Sequence, residues 1–275
     1  MAEKLKTVLR LMEDIAPSYL AEKWDNVGLQ IGNDHKEIQR ILVTLEVTDS
    51  IIDEAIAKNV DMIICHHPLI FKSLKKIRTK DPIQNMVYRL IKNDIALFCA
   101  HTNLDIVQGG TNDVLAETLN IMDTAPLREM GKDNFTLNND IHSYGLGRVG
   151  ELTEPKKLAT FCQEIKSKLS MKHVRIVGDL EKNIQRIGLC TGSGAEFIYD
   201  AYKQGCDCYI TGDIKYHDAQ YAMSLGIAVI DAGHFETEEL VCKPLFENLK
   251  KLIGKNHYDM EVLLASNDMN PFQII

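Results

Sequence analysis

Apolar residues fall into two alternating patterns along this chain: short continuous runs, and longer amphipathic stretches with helical spacing, separated by turn-forming residues. Leu5, Val8, Leu9, Met12 and Ile15 share one side of a helix expected over residues 3–16 and stopped by Pro17. Residues 40–47 read as a strand, and Thr48 or Asp49 caps a helix with Ile51, Ile52, Ala55 and Ile56 on its apolar face. A buried strand opens at Asp61 and runs through Met62-Ile63-Ile64-Cys65 into His66-His67-Pro68. Pro82 suits the first turn of a helix to about Asn93, and the strand over residues 95–100 ends in His101-Thr102-Asn103-Leu104-Asp105. Gly109 to Asn112 turn the chain and cap a helix through Leu119, after which residues 121–143 become polar and lose periodicity. Beyond them the pattern predicts strands over 144–150, 173–177, 185–190, 208–211, 227–230 and 260–264, and helices over 155–169, from Gly194 to about Gln204, after Asp213, and from Leu240 onward. Strand and helix alternate throughout, so the fold class is α/β, with a first lobe over 1–125, a connecting segment over 126–185 and a second lobe over 186–275.

The two halves echo each other. Residues 41–64 lie over 187–210 without a gap, which brings Asp61 onto Asp207 and His66-His67 onto Gly212-Asp213. Each half then continues through a helix and a strand to an imidazole-carboxylate cluster, His101-x-x-x-Asp105 in the first and His234-x-x-x-Glu238 in the second. Chemistry in α/β sheets sits at the carboxyl ends of strands, so His66, His67, His101, Asp105, Asp213, His217, His234 and Glu238 are expected to converge. Neighbouring side chains of an extended strand point opposite ways, so His66 and His67 share one centre only if the chain turns there, and two adjacent centres fit better. Isolated His35, His142, His173 and His257 are read as surface or capping residues.

Composition narrows the classes. A chain of 275 residues, 45% hydrophobic and 25% charged, buries a full core, and no apolar run is long enough to span a bilayer, so the reading is a cytoplasmic protein with no membrane partner. A formal charge of -8 argues against a nonspecific nucleic-acid groove, although Lys72, Lys75, Lys76, Arg78 and Lys80 form a local basic loop. The seven cysteines include no CxxC, which fits reduced buried thiols and leaves any metal to imidazole and carboxylate. Those ligands suit Zn, Mn, Fe or Ni. Three histidines and two carboxylates exceed one tetrahedral site but suit two ions sharing a carboxylate and a water, and a water held by two cations becomes a hydroxide nucleophile near neutral pH. Gly192-Ser193-Gly194 reads either as a phosphate-cradling turn or as tight strand-to-helix packing. Trp24 reads either as a plug under a loop or as a substrate-facing residue.

Taken together, Trp24-Asp25-Asn26-Val27-Gly28-Leu29, Cys65-His66-His67-Pro68-Leu69-Ile70-Phe71, His101-Thr102-Asn103-Leu104-Asp105, Thr211-Gly212-Asp213 and Gly233-His234-x-x-x-Glu238 resemble the Nif3-like family, also called GTP cyclohydrolase 1 type 2 homologs. The resemblance runs in order from near residue 20 to about residue 245. It implies two related α/β lobes, a toroidal homohexamer and two divalent ions per subunit (Zn, Fe or Mn) held by His66, His67, Asp105, His234 and Glu238. His101, Asp213 and His217 would be catalytic or supporting residues, with His101 or His217 moving a proton, and Trp24, Asp25 and Asn26 would face the substrate. The family name implies a hydrolase acting on GTP or a similar nucleotide. A non-enzymatic metal-binding scaffold and a metal-dependent phosphodiesterase are the competing readings. Some relatives carry an extra domain between the halves, for which this chain leaves no room, and Glu46 stands where the family pattern leads one to expect Asp.

Overall fold

The structure, a computed structural model, describes residues 3–133, 142–266 and 270–273. The chain forms two units, Met1–Leu104 with Val241–Ile275, and Asp105–Leu240. In the first unit the elements are β1 (Glu3–Lys4), α1 (Leu5–Ile15), β2 (Gly28–Ile31), β3 (Glu37–Ile38), β4 (Arg40–Thr44), α2 (Asp49–Ala57), β5 (Met62–Cys65), α3 (Pro82–Lys92) and β6 (Ala96–Cys99). A single helical turn, α4 (Thr102–Ile106), leads into the second unit. There follow α5 (Thr111–Thr118), β7 (Ile121–Asp133), β8 (His142–Lys157), α6 (Leu158–Lys168), β9 (Arg175–Val177), β10 (Asn183–Ser193), α7 (Ile198–Lys203), β11 (Cys208–Gly212), α8 (Tyr216–Leu225), β12 (Ala228–Asp231) and α9 (His234–Glu238). The chain then returns to the first unit with α10 (Cys242–Lys255) and β13 (Glu261–Leu264).

The first sheet runs β13-β4-β5-β6-β2, parallel except for β2. Its central strands are buried on both faces, as expected of apolar runs covered by helices. Thr48 caps α2 by accepting from Ile51 N (3.3 Å), and Asp81 caps α3 by accepting from Gln84 N (2.9 Å), with Pro82 in the first turn. Ile51, Ile52 and Ala55 of α2 and Met86, Val87 and Leu90 of α3 pack on Leu42, Ile63 and Leu97 of the sheet. Each such aliphatic side chain, fully buried, contributes about 1.5–3 kcal/mol. Because β5 and β6 are parallel, the residues that follow them, His66-His67 and His101, emerge at the same edge.

The second sheet runs β7-β8-β10-β11-β12-β9, with β10, β11 and β12 parallel and β8 and β9 antiparallel to their neighbours. This corrects the domain reading. Residues 126–185 are not a connector, because β7, β8, α6 and β9 belong to the second unit, and the chain changes units at Leu104–Asp105 rather than at 125. Polar 121–133 is an edge strand: among its described side chains only Ile121 and Leu127 are buried, Pro126 sits where an edge tolerates it, and two register shifts interrupt the alternation. Pro155 lies in β8, so the helix expected from it begins at Leu158. Residues 241–275 belong to the first unit, with β13 completing the first sheet beside β4.

The echo between halves is present in the hydrogen bonds. Asp61 Oδ2 accepts from Gln39 N (2.8 Å) and Arg40 N (2.9 Å), and Asp207 Oδ2 accepts from Gln185 N and Arg186 N (both 2.9 Å). Asn59 and Gly205 end the matching helices with φ of 51° and 73°. One detail differs from the sequence alignment. Ala100 N donates to Cys65 O and Ala232 N to Thr211 O, so His101 matches Gly233, and the two imidazole-carboxylate motifs are out of step by one residue. No helix of the described residues is long and apolar enough to cross a membrane.

Candidate metal centre

In the first unit, His66, His67 and His101 each offer a ligand atom, all within 4.8 Å of one another. The chain bends after Cys65, and this brings the rings of adjacent His66 and His67 to 5.1 Å between centroids instead of opposite faces. His101 lies 5.2 Å from His66 and 5.8 Å from His67 by ring centroid.

Every one of these rings has its Nδ1 committed. His66 Nδ1 donates to Ala100 O (2.8 Å), His67 Nδ1 meets Glu46 Oε2 (2.7 Å), and His101 Nδ1 meets Asp25 Oδ1 (3.0 Å). An acceptor on Nδ1 keeps the proton there and leaves the Nε2 lone pair as the coordinating atom, the usual outer support of a metal-binding imidazole. Glu46, standing where Asp is expected, reaches the imidazole because β4 ends at Thr44 and the chain bends at Leu45-Glu46.

Asp25 is the support that the sequence reading missed. Its side chain is fully buried, with Oδ2 accepting from Thr102 N (3.0 Å) and Thr102 Oγ1 (2.6 Å) while Oδ1 faces His101 and accepts from Asn26 N (2.7 Å). Burial alone would raise its pKa, but the hydrogen bonds from His101 and Thr102 outweigh that and hold it at about 2. Both oxygens are occupied by hydrogen bonds, and through them Asp25 positions His101. Asn26 is likewise a brace, its Nδ2 donating to Ile70 O. Of the three residues expected at the substrate, only Trp24 is a large exposed ring.

In the second unit, α9 places His234 and Glu238 one turn apart, with His234 Nε2 3.0 Å from Glu238 Oε2. Asp213 Oδ2 meets His234 Nδ1 at 2.8 Å from a left-handed backbone (φ 57°) that Asp tolerates. Asp213 therefore supports an imidazole, as Glu46 and Asp25 do. Buried Asp231 accepts from Ile214 N (3.2 Å) and Gly233 N (3.2 Å), fixing the segments that carry Asp213 and His234. Asp105 offers a ligand atom within 4.8 Å of one from Glu238. Thr111 Oγ1 donates to Asp105 Oδ1 and accepts from Thr191 Oγ1 (3.1 Å), and Asn112 Nδ2 donates to Asp105 O (2.9 Å). Burial, and then the carboxylates of Asp105 and Glu238, push the Cys190 thiol far up.

Gly192-Ser193-Gly194 packs rather than cradles phosphate. A Cβ on Gly192 (φ +63°) would stand 2.0 Å from Glu238 Oε1, and the amides of Gly192 and Gly194 already donate to Thr237 Oγ1 (3.0 Å) and Thr211 Oγ1 (2.9 Å). His217, exposed on α8 against Tyr216 (5.4 Å), belongs to neither set. His35 and His173 lie outside both sets as well, as does His257 in its left-handed turn, and the side chain of His142 falls outside the described residues.

The donor chemistry fits divalent cations. Three imidazoles oriented through Nδ1 converge in one unit, and in the other an imidazole stands between two carboxylates, one of which, Glu238, adjoins Asp105. The model of the family described as Duf34/NIF3 (NGG1p interacting factor 3) matches residues 3–271. A Clostridium perfringens protein named GTP cyclohydrolase 1 type 2 homolog is 37% identical over 277 residues, covering 99% of this chain and 100% of that protein, so the short form without an inserted domain is shared. A Staphylococcus aureus hypothetical protein of solved structure superposes with a TM-score of 0.91 at 31% identity, over 100% of both chains. A Bacillus cereus protein related to NIF3 superposes with a TM-score of 0.93 at 25% identity, again over 100% of both. With its family model, its relatives and its fold in agreement across the whole length, this chain belongs to the Duf34/NIF3 family.

Proposed function

We propose that this protein is a metal-dependent hydrolase in which His66, His67, His101, Asp105, His234 and Glu238 hold two divalent cations, and that its substrate is a nucleotide or similar small molecule. The observation that carries this reading is the commitment of Nδ1 in His66, His67, His101 and His234 to an oxygen acceptor. Imidazoles that keep their proton on Nδ1 present Nε2 as the coordinating atom, the outer support that metal-ligating histidines use. His101 joins the proposed ligands rather than the proton carriers, since it is braced like His66 and His67.

Divalent ions held there supply Lewis acidity and a water acidified to near neutral pH, which is hydrolytic chemistry. The chain's own part is to orient: Asp25, Glu46 and Asp213 keep three rings in one tautomer, and Thr111 and Asn112 fix Asp105. Nucleotide substrates are supported by the relatives' name, GTP cyclohydrolase 1 type 2 homolog, and the toroidal homohexamer by the family resemblance. Elemental analysis of protein purified without added metal, for wild type and His67→Ala, followed by GTP turnover on the same samples, tests the proposal. The expected outcome is about two ions per chain in the wild type, with metal and turnover both lost in the variant. Absence of metal in the wild type even after reconstitution, or turnover retained by His67→Ala, overturns it.

A further inference from the structure

Two large aromatic side chains stand in the open beside the imidazole set. Trp24 is 59% exposed and Phe71 49%, on two loops far apart in sequence. Their rings meet edge to face, with centroids 6.0 Å apart and planes at 68°, and the indole is 6.2 Å from the ring of His101. Exposed aromatic surface of this kind is costly in water unless it binds something.

The loops are held in this arrangement by a closed set of hydrogen bonds. Asn26 Nδ2 donates to Ile70 O, Ile70 N donates to Gln30 Oε1 (2.9 Å), and Gln30 Nε2 donates back to Asn26 O (2.9 Å). Asn26, two residues after Trp24, is thereby tied to Ile70, the residue before Phe71. Between Trp24 and Asn26, the buried Asp25 is anchored on His101 and Thr102. A ring that merely capped the core would be covered, and a ring on a slack loop would not need three reciprocal bonds. The pair is preorganised, which lowers the entropy lost when a ligand binds.

We infer that Trp24 and Phe71 form a fixed aromatic corner that receives a flat heteroaromatic ring of the substrate next to His101; this rests on the reading of the histidine set as the reactive centre. Two rings at a steep angle and only 6.0 Å apart leave no slot for a third ring between them. A flat ligand instead lies on the face of one and turns its edge to the other, both of which are favourable aromatic geometries. Stacking on an aromatic face tolerates any base, so the corner selects for a planar ring rather than for one set of ring substituents. Asp25 and Asn26 act through the rings they position and do not touch the ligand.

Trp24 is the only tryptophan, so intrinsic fluorescence reads this corner alone. Metal-loaded protein is titrated with guanosine 5′-monophosphate and, separately, with ribose 5-phosphate, for wild type and Phe71→Ala. Metal content is measured on the same samples. The expected result is saturable quenching by the nucleotide only, weakened at least tenfold in Phe71→Ala, about 1.4 kcal/mol, with metal content unchanged. Equal quenching by ribose 5-phosphate, or full nucleotide affinity in Phe71→Ala, overturns the corner while leaving the metal reading standing. Missing metal with intact nucleotide quenching overturns the hydrolase reading and keeps the corner. Trp24 emission shielded from acrylamide in ligand-free protein would show a second copy covering the pair, and would also overturn the inference.

Discussion

Asp25 shows how far a single residue's role depends on its partners. In the sequence it belongs to a turn-forming stretch beside the only tryptophan; in the structure it is buried, ionised with a pKa of about 2, and holds His101 in place. Gly192 is a second case, required because any side chain there would strike the Glu238 carboxylate. A third carboxylate tests the electrostatics away from the candidate metal residues. Glu54 is buried on α2, and it accepts from Lys58 Nζ (2.5 Å), Ser266 N (3.1 Å) and Ser266 Oγ (2.9 Å). Burial raises its pKa, yet these bonds outweigh burial and hold it below the ordinary 4.5. A depressed carboxylate contributes stability that is fully present above its unfolded value and is lost as pH falls through the folded one. Glu54→Gln is expected to lower stability by about 1–3 kcal/mol near neutral pH and to flatten the decline below pH 4.5, as measured by urea unfolding across pH. An unchanged acid limb in the variant would refute this assignment.

At the level of elements, most of the helices and central strands follow from local pattern, because a parallel strand buried on both faces must be apolar and its crossover helix must be amphipathic. β4, β5 and β6 and the helices between them were legible for that reason. β7 was not, since an edge strand with two register shifts and a polar outer face has no alternation to detect. The matched aspartates give the internal echo energetic content. Asp61 and Asp207 each accept two backbone amides at the start of the corresponding strand, so Asp61→Ala and Asp207→Ala are expected to destabilise by similar amounts, about 1–3 kcal/mol each. Urea midpoints measure this, and a large difference between the two variants would show that the echo is one of shape alone.

For the whole molecule, the proposed cations bind donors that only the folded chain assembles, so metal and stability are linked. Removing metal with a chelator is expected to lower the thermal midpoint, and re-adding it at about a hundredfold excess over its dissociation constant to restore about 2.7 kcal/mol. A scan by calorimetry with and without chelator reads this directly, and identical midpoints on metal-loaded and stripped protein would count against coordination by the folded donors. The division into units is also a property of the whole chain. The first unit is completed by α10 and β13, where β13 lies parallel beside β4 and Arg40 Nε pairs with Glu261 Oε2 at 2.7 Å. A reading in chain order assigns those residues to the nearest lobe, because contacts between distant segments leave no local trace.

The sequence by itself determined the α/β alternation, the duplicated strand-helix-strand pattern and the placing of histidine and carboxylate at strand ends, since burial and helix periodicity are written in neighbouring residues. Only the tertiary structure decided which atom each imidazole offers. The acceptor on His101 comes from 76 residues away and that on His67 from 21, and the chain had to fold before either carboxylate could choose the nitrogen that keeps its proton.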